Sequence, residues 1–121
     1  MTQGVLRLKR AYEEPRPEDG YRILVDRLWP RGLSRPRAEL DAWDKDVAPS
    51  PSLRTWWGHD PERLGEFGER YRAELAENPA LDELRTSLQE HPVVTLVYGA
   101  RDPEVNHAVI LREVLLEEAP S

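Results

Sequence analysis

The chain has no cysteine, one phenylalanine and one methionine. The missing thiol excludes disulfides, thiolate metal ligands and a cysteine nucleophile. It also fits a reducing compartment. No apolar run approaches the ~20 residues of a membrane span. The N-terminal MTQGVLRLKR lacks the apolar core of a secretory signal. The expected location is therefore the cytoplasm, with no membrane partner. Histidines occur only at His59, His91 and His107. Neither His59-Asp60 nor Asp102 with His107 has metal-ligand spacing, so no metal is expected. There is no P-loop, GxGxxG or nucleophile elbow, so no cofactor is expected.

The 121 residues are the usual size of one domain. Such a chain buries roughly two-thirds of its unfolded surface and needs no covalent staple. The net charge of −6 argues against a general nucleic-acid binder. That charge is unevenly spread. Residues 1–37 hold nine Lys/Arg and five Asp/Glu, while the remainder holds eight and eighteen. A basic third on an acidic body can present a local anion site, or its charges can be solvated and paired within the fold.

Val5 to Arg10 alternates apolar and basic residues, which predicts a half-buried strand near a sheet edge. Glu13 to Gly20, EEPRPEDG, reads as a surface loop. Tyr21 to Val25 is a second strand, and Gly32 to Pro36 a loop. Ala38 to Val47 suits either a helical turn or an irregular segment. Four sites then share one device: Ser50-Pro51, Asp60-Pro61, Asn78-Pro79 and Asp102-Pro103. In each, a side-chain oxygen can accept an orphan N–H, and proline supplies a preset φ with no N–H to waste. Helices are predicted near 51–57, 61–77, 79–90 and 103–118. Leu64, Phe67, Tyr71 and Leu75 line one helical face, as do Leu81, Leu84 and Leu88. Val93 to Tyr98 is apolar throughout and fits a strand covered on both faces. The expected fold is α/β: one compact domain with a small, mostly parallel sheet flanked by about four helices.

Two strands end in polar loops. One carries Arg27, Trp29 and Arg31, the other Tyr98, Arg101, Asp102, Asn106 and His107. If those strands are parallel neighbours, both loops open on the sheet edge where ligands of α/β proteins bind. Guanidinium groups there suit a phosphate or carboxylate. Each residue also has a plainer role. Arg27 can pair with Asp26, Asp44 or Asp46 and hold a loop. Trp29, Trp43, Trp56 and Trp57 can pack in the core, although adjacent Trp56 and Trp57 cannot bury both rings on one helix face. Asp102 can cap a helix rather than act as a base. His107 can be a buried imidazole, and His59 can cover a turn.

RILVDRLWPRG, the run LDAWDKDVAPSPSLRTWWGHDPERLGEF, YRAEL and VTLVYGARDPEVNHAVIL together resemble the domain of unknown function 488 family, in its YeaO-like branch of small bacterial proteins. The resemblance spans about Leu6 to Leu115. It implies a compact α/β domain and no established activity. It also implies, in wider relatives, Cys-His-Arg at the start of the last helix. Here Asn106 and His107 stand at the Cys-His positions, so no thiol role carries over. Three functional readings are open. One is an enzyme acting on an anionic small molecule, with Arg27 and Arg31 as clamps and His107 or Asp102 as acid or base. Another is a non-catalytic binding or adaptor module for a small anion, nucleotide or protein. The third is direct nucleic-acid contact by the basic third, which the acidic body opposes.

Overall fold

The computed structural model describes residues 4–117. Four strands form one sheet: β1 (Val5–Arg10), β2 (Tyr21–Leu24), β3 (Ala42–Trp43) and β4 (Val93–Tyr98). Their order is β1-β4-β2-β3, and every pairing is parallel. The first two strands therefore do not touch; β4 is inserted between them. All four carboxyl ends face one edge, so the loops after β2 and β4 are neighbours there.

Five helices accompany the sheet: α1 (Arg35–Ala38), α2 (Pro51–Trp57), α3 (Leu64–Ala76), α4 (Pro79–Glu90) and α5 (His107–Leu116). The Ser-Pro and Asn-Pro starts behave as expected. Ser50 Oγ accepts the Leu53 N–H, and Asn78 Oδ1 accepts the Ala80 N–H. Asp60-Pro61 opens a 3-10 turn at Pro61–Arg63 that runs into α3. The segment 38–47 resolves into the end of α1, the two-residue β3 and a 3-10 turn at Lys45–Val47. No helix among the described residues is long and apolar enough to cross a membrane.

The last helix corrects the sequence expectation. It starts at His107, not at Pro103; position 118 of the expected span lies outside the described residues. Two rival caps stand four residues apart. Asp102 Oδ1 accepts the N–H groups of Glu104 and Val105 and closes a local turn. Asn106 is fully buried with extended backbone angles, and its Oδ1 accepts the Val109 N–H. Its Nδ2 donates to the Asp102 carbonyl at 2.8 Å. Asn106 thus interrupts the helical path and caps α5.

Both sheet faces are covered, as the unbroken apolar run of β4 requires. Ile23, Val94, Leu96 and Tyr98 meet Trp57, Phe67, Tyr71, Leu84 and Leu111 in the main core. The Trp57 and Phe67 rings stack at 3.8 Å; truncating either ring would cost roughly 3–5 kcal/mol. On the opposite face Leu24 and Val97 lie under Trp29, Leu33 and Trp43. That face also holds a buried polar lock. Asp19 Oδ2 accepts from Arg22 at 2.7 Å and from Lys9 at 3.0 Å. Arg22 also donates to the Ala38 and Glu39 carbonyls. An arginine is tolerated in a central strand because each of its three guanidinium nitrogens donates a hydrogen bond; removing Asp19 would leave its charge unpaired, at a cost of about 3–5 kcal/mol. Gly20 (φ +66°) makes the turn into β2, where any Cβ would collide with the Val93 carbonyl.

Candidate functional site

At the carboxyl edge of the sheet, the exits of β2 and β4 are joined by one side chain. Asp26 follows β2, and its Oδ2 accepts the Gly99 N–H at 2.9 Å. Asp26 Oδ1 lies 3.5 Å from His107 Nε2, which donates to the Val25 carbonyl at 2.9 Å. Three elements, β2, β4 and the first residue of α5, thus meet at this point. Burial pushes the Asp26 carboxyl above its ordinary value, against the pull of His107 and the Gly99 N–H. Burial pushes the His107 imidazole below its ordinary value, against the opposing pull of Asp26.

Above this junction lies a cleft of about 260 Å³. Arg27 stands on one wall, where its guanidinium donates to the Ala48 and Pro49 carbonyls at long distances of 3.3–3.4 Å. Arg54, from α2, also lines the cleft, with an exposed side chain and no side-chain hydrogen bond or ion pair among the described residues. Trp57 and His59 line it as well, their rings stacked 4.6 Å apart. Trp57 is buried, and its Nε1 donates to the Asp60 carbonyl. The second tryptophan of the pair, Trp56, faces outward under the guanidinium groups of Arg63 and Arg70.

Of the residues expected at the site, Arg27 and His107 line this cleft. Arg101 and Asp102 border an adjoining hollow. The remaining four are placed elsewhere. Trp29 packs edge-on against Trp43 on the opposite sheet face and donates to the Leu33 carbonyl. Arg31 is exposed outside the cleft, and its carbonyl accepts from Tyr12. Tyr98 is a core residue, and Asn106 is spent as a cap. Arg27 pairs with none of Asp26, Asp44 or Asp46; it binds carbonyls instead. Among the polar residues lining the cleft, sequence reasoning left Asp26, Arg54 and His59 out of the site. A signal for Arg54 existed: it lies three residues before the buried Trp57, so its helical face borders the core.

The lining contains no Ser, Thr, Cys or Lys side chain, so no hydroxyl, thiol or amine nucleophile faces the space; Asp26, His59 and His107 are its reactive side chains. Among the described residues, no group of three metal-ligating side chains stands together. Besides Arg27, four of the nine basic residues of the N-terminal third are engaged within the fold. Arg7 donates to the Glu18 carbonyl, Lys9 to Asp19, Arg10 to the Ala100 carbonyl and Arg22 to Asp19.

Comparison with known proteins places the chain among uncharacterised bacterial relatives. It is 46% identical over 110 residues to uncharacterised proteins of Mycobacterium tuberculosis and Mycobacterium bovis, covering 91% of this chain and 92% of theirs. It is 38% identical over 110 residues to the uncharacterised YeaO of Escherichia coli, covering 91% and 96%. No solved structure matches. The family model described as the inactive DUF488-N3 subclade matches residues 5–121, and the chain therefore belongs to the DUF488 family, in that subclade.

Proposed function

We propose that the protein binds a small anion, a phosphate or carboxylate group, in the cleft between Arg54 and Arg27, without turning it over. The observation that carries the reading is Arg54. It is a cation at the cleft wall with no internal partner among the described residues, and it shares the lining with a second arginine whose own bonds are long. Guanidinium matches the paired oxygens of both anion types. The cleft opens where the parallel strands end, the usual ligand position in this architecture. Two features favour binding over catalysis: the lining offers no hydroxyl, thiol or amine nucleophile, and the subclade carries the description inactive. Arg7, Lys9, Arg10 and Arg22 are engaged within the fold, which removes four of the nine basic residues of the N-terminal third from any nucleic-acid contact.

Trp57 lines the cleft and serves as the reporter. Titration with inorganic phosphate should change tryptophan fluorescence saturably. Losing one charge-assisted hydrogen bond is worth about 1.5–3 kcal/mol, or roughly 10- to 150-fold in affinity. Arg54→Ala should weaken binding by that factor, while Arg31→Ala leaves it unchanged. A wild-type protein that ignores every phosphate and carboxylate offered, or an Arg54→Ala variant that binds as well as wild type, rejects the proposal.

A further inference from the structure

The cleft does not end at His59. A second hollow of about 370 Å³ adjoins it, bordered by Arg101, Asp102 and Val105, and the two share His59, Gly99 and Ala100 as lining. The first space alone is smaller than the usual small-molecule site, whereas the two together fall within the range of roughly 300–1,000 Å³. A bare phosphate would leave the larger part unfilled.

His59 stands on the shared wall in an unusual state. Its backbone is left-handed at φ +57°, a conformation that side chains other than glycine seldom hold. Its side chain is exposed, yet the ring is backed by Trp57 at 4.6 Å with 28° between the planes. One face of the imidazole is therefore supported and the ring is held at the junction of the two hollows. A backed, exposed ring at a strained position is a platform on which a flat group can stack. Asp60 explains the neighbouring turn by capping Glu62, but that cap does not require a ring at position 59.

Building on the anion reading above, we infer that the ligand is bipartite. Its anionic head sits between Arg27 and Arg54, and a planar ring lies on His59 and extends into the hollow beside Arg101. The chemical class is a phosphorylated compound with a flat heterocycle, of which nucleoside monophosphates are the simplest members.

The test compares AMP, ribose 5-phosphate, inorganic phosphate and adenosine as probes, by calorimetry on the full chain and on Arg54→Ala and His59→Asn variants. Asparagine is the replacement of choice because it adopts the left-handed backbone but offers no ring; thermal melting confirms that the variant is folded. Wild type should bind AMP at least tenfold more tightly than ribose 5-phosphate. His59→Asn should abolish that preference while leaving phosphate affinity intact, and Arg54→Ala should weaken all three phosphates. Equal affinity for AMP and ribose 5-phosphate overturns the bipartite ligand and leaves the anion site standing. A preference that survives His59→Asn overturns the platform. Adenosine binding as tightly as AMP, or no binding by any phosphate, removes the anion site as well.

Discussion

The contact between Asp26 and Gly99 can be tested as a lock by a double-mutant cycle. A Cβ added at Gly99 would lie 2.9 Å from Asp26 Oδ2, closer than carbon and oxygen normally approach, and 3.8 Å from Pro30. Two outcomes are conceivable for Gly99→Ala. If the carboxylate swings aside freely, the change is neutral. If it is held by the Gly99 N–H and the neighbouring His107, the overpacking costs about 1–3 kcal/mol. Asp26→Ala loses a charge-assisted hydrogen bond, about 1.5–3 kcal/mol. Relief of the burial penalty on that carboxylate offsets part of this, so its net cost is about 1–2 kcal/mol. With the carboxylate gone, the new methyl meets only the ordinary contact with Pro30, and Gly99→Ala should cost almost nothing. Urea denaturation monitored by tryptophan fluorescence should therefore show the double variant more stable than the sum of the singles predicts, by about 1–3 kcal/mol. Additivity within about 0.5 kcal/mol would refute the lock, and with it the claim that one side chain joins the two strand exits.

Two further changes probe the segment 44–47, which leads into the cleft residue Ala48. Burial, with Asp46 and Glu83 adding to it, raises the Asp44 carboxyl from 3.8 to about 6. Because the folded value is raised, the group disfavours the fold only when ionised: the penalty is absent below 3.8 and complete above about 6. Asp44→Asn should thus stabilise the protein by about 1 kcal/mol at pH 7.5, after discounting for partial exposure, and by nothing at pH 3.5. Urea melts at the two pH values decide this; an equal gain at both contradicts it. Tyr71 is fully buried, and its hydroxyl donates to the Val47 carbonyl, one residue before the cleft wall at Ala48. Tyr71→Phe should leave that carbonyl unpaired and cost about 1–2 kcal/mol in a thermal melt; an unchanged midpoint would show that the bond contributes little.

How far the residues alone reveal the structure depends on the locality of each signal. α4 was legible because cap, proline and apolar period agree within a few residues, α2 because Ser50-Pro51 marks its start, and β4 because its run is apolar and unbroken. The start of α5 was not, since Asp102-Pro103 and Asn106 are both plausible caps and burial of Asn106 decides between them. Arg27 and Arg31 looked like one clamp because they are neighbours in sequence. The chain turns between them: Arg27 faces the cleft, while Arg31 is exposed beside Tyr12. Arg54 was hidden for the opposite reason. It reaches the site from α2, and nothing local says which sheet edge that helix adjoins. The role of Arg22 is likewise visible only in the fold, where its partner Asp19 lies three residues earlier, in the turn before β2.

Occupation of the space between Arg54 and Arg27 by an anion can be observed directly. Crystals grown with selenate allow the anion to be located by its anomalous scattering. A selenium peak is expected inside the cleft, with selenate oxygens within hydrogen-bond distance of the Arg54 guanidinium. Selenate found only at surface arginines such as Arg31 or Arg37, with the cleft empty, would contradict the assignment.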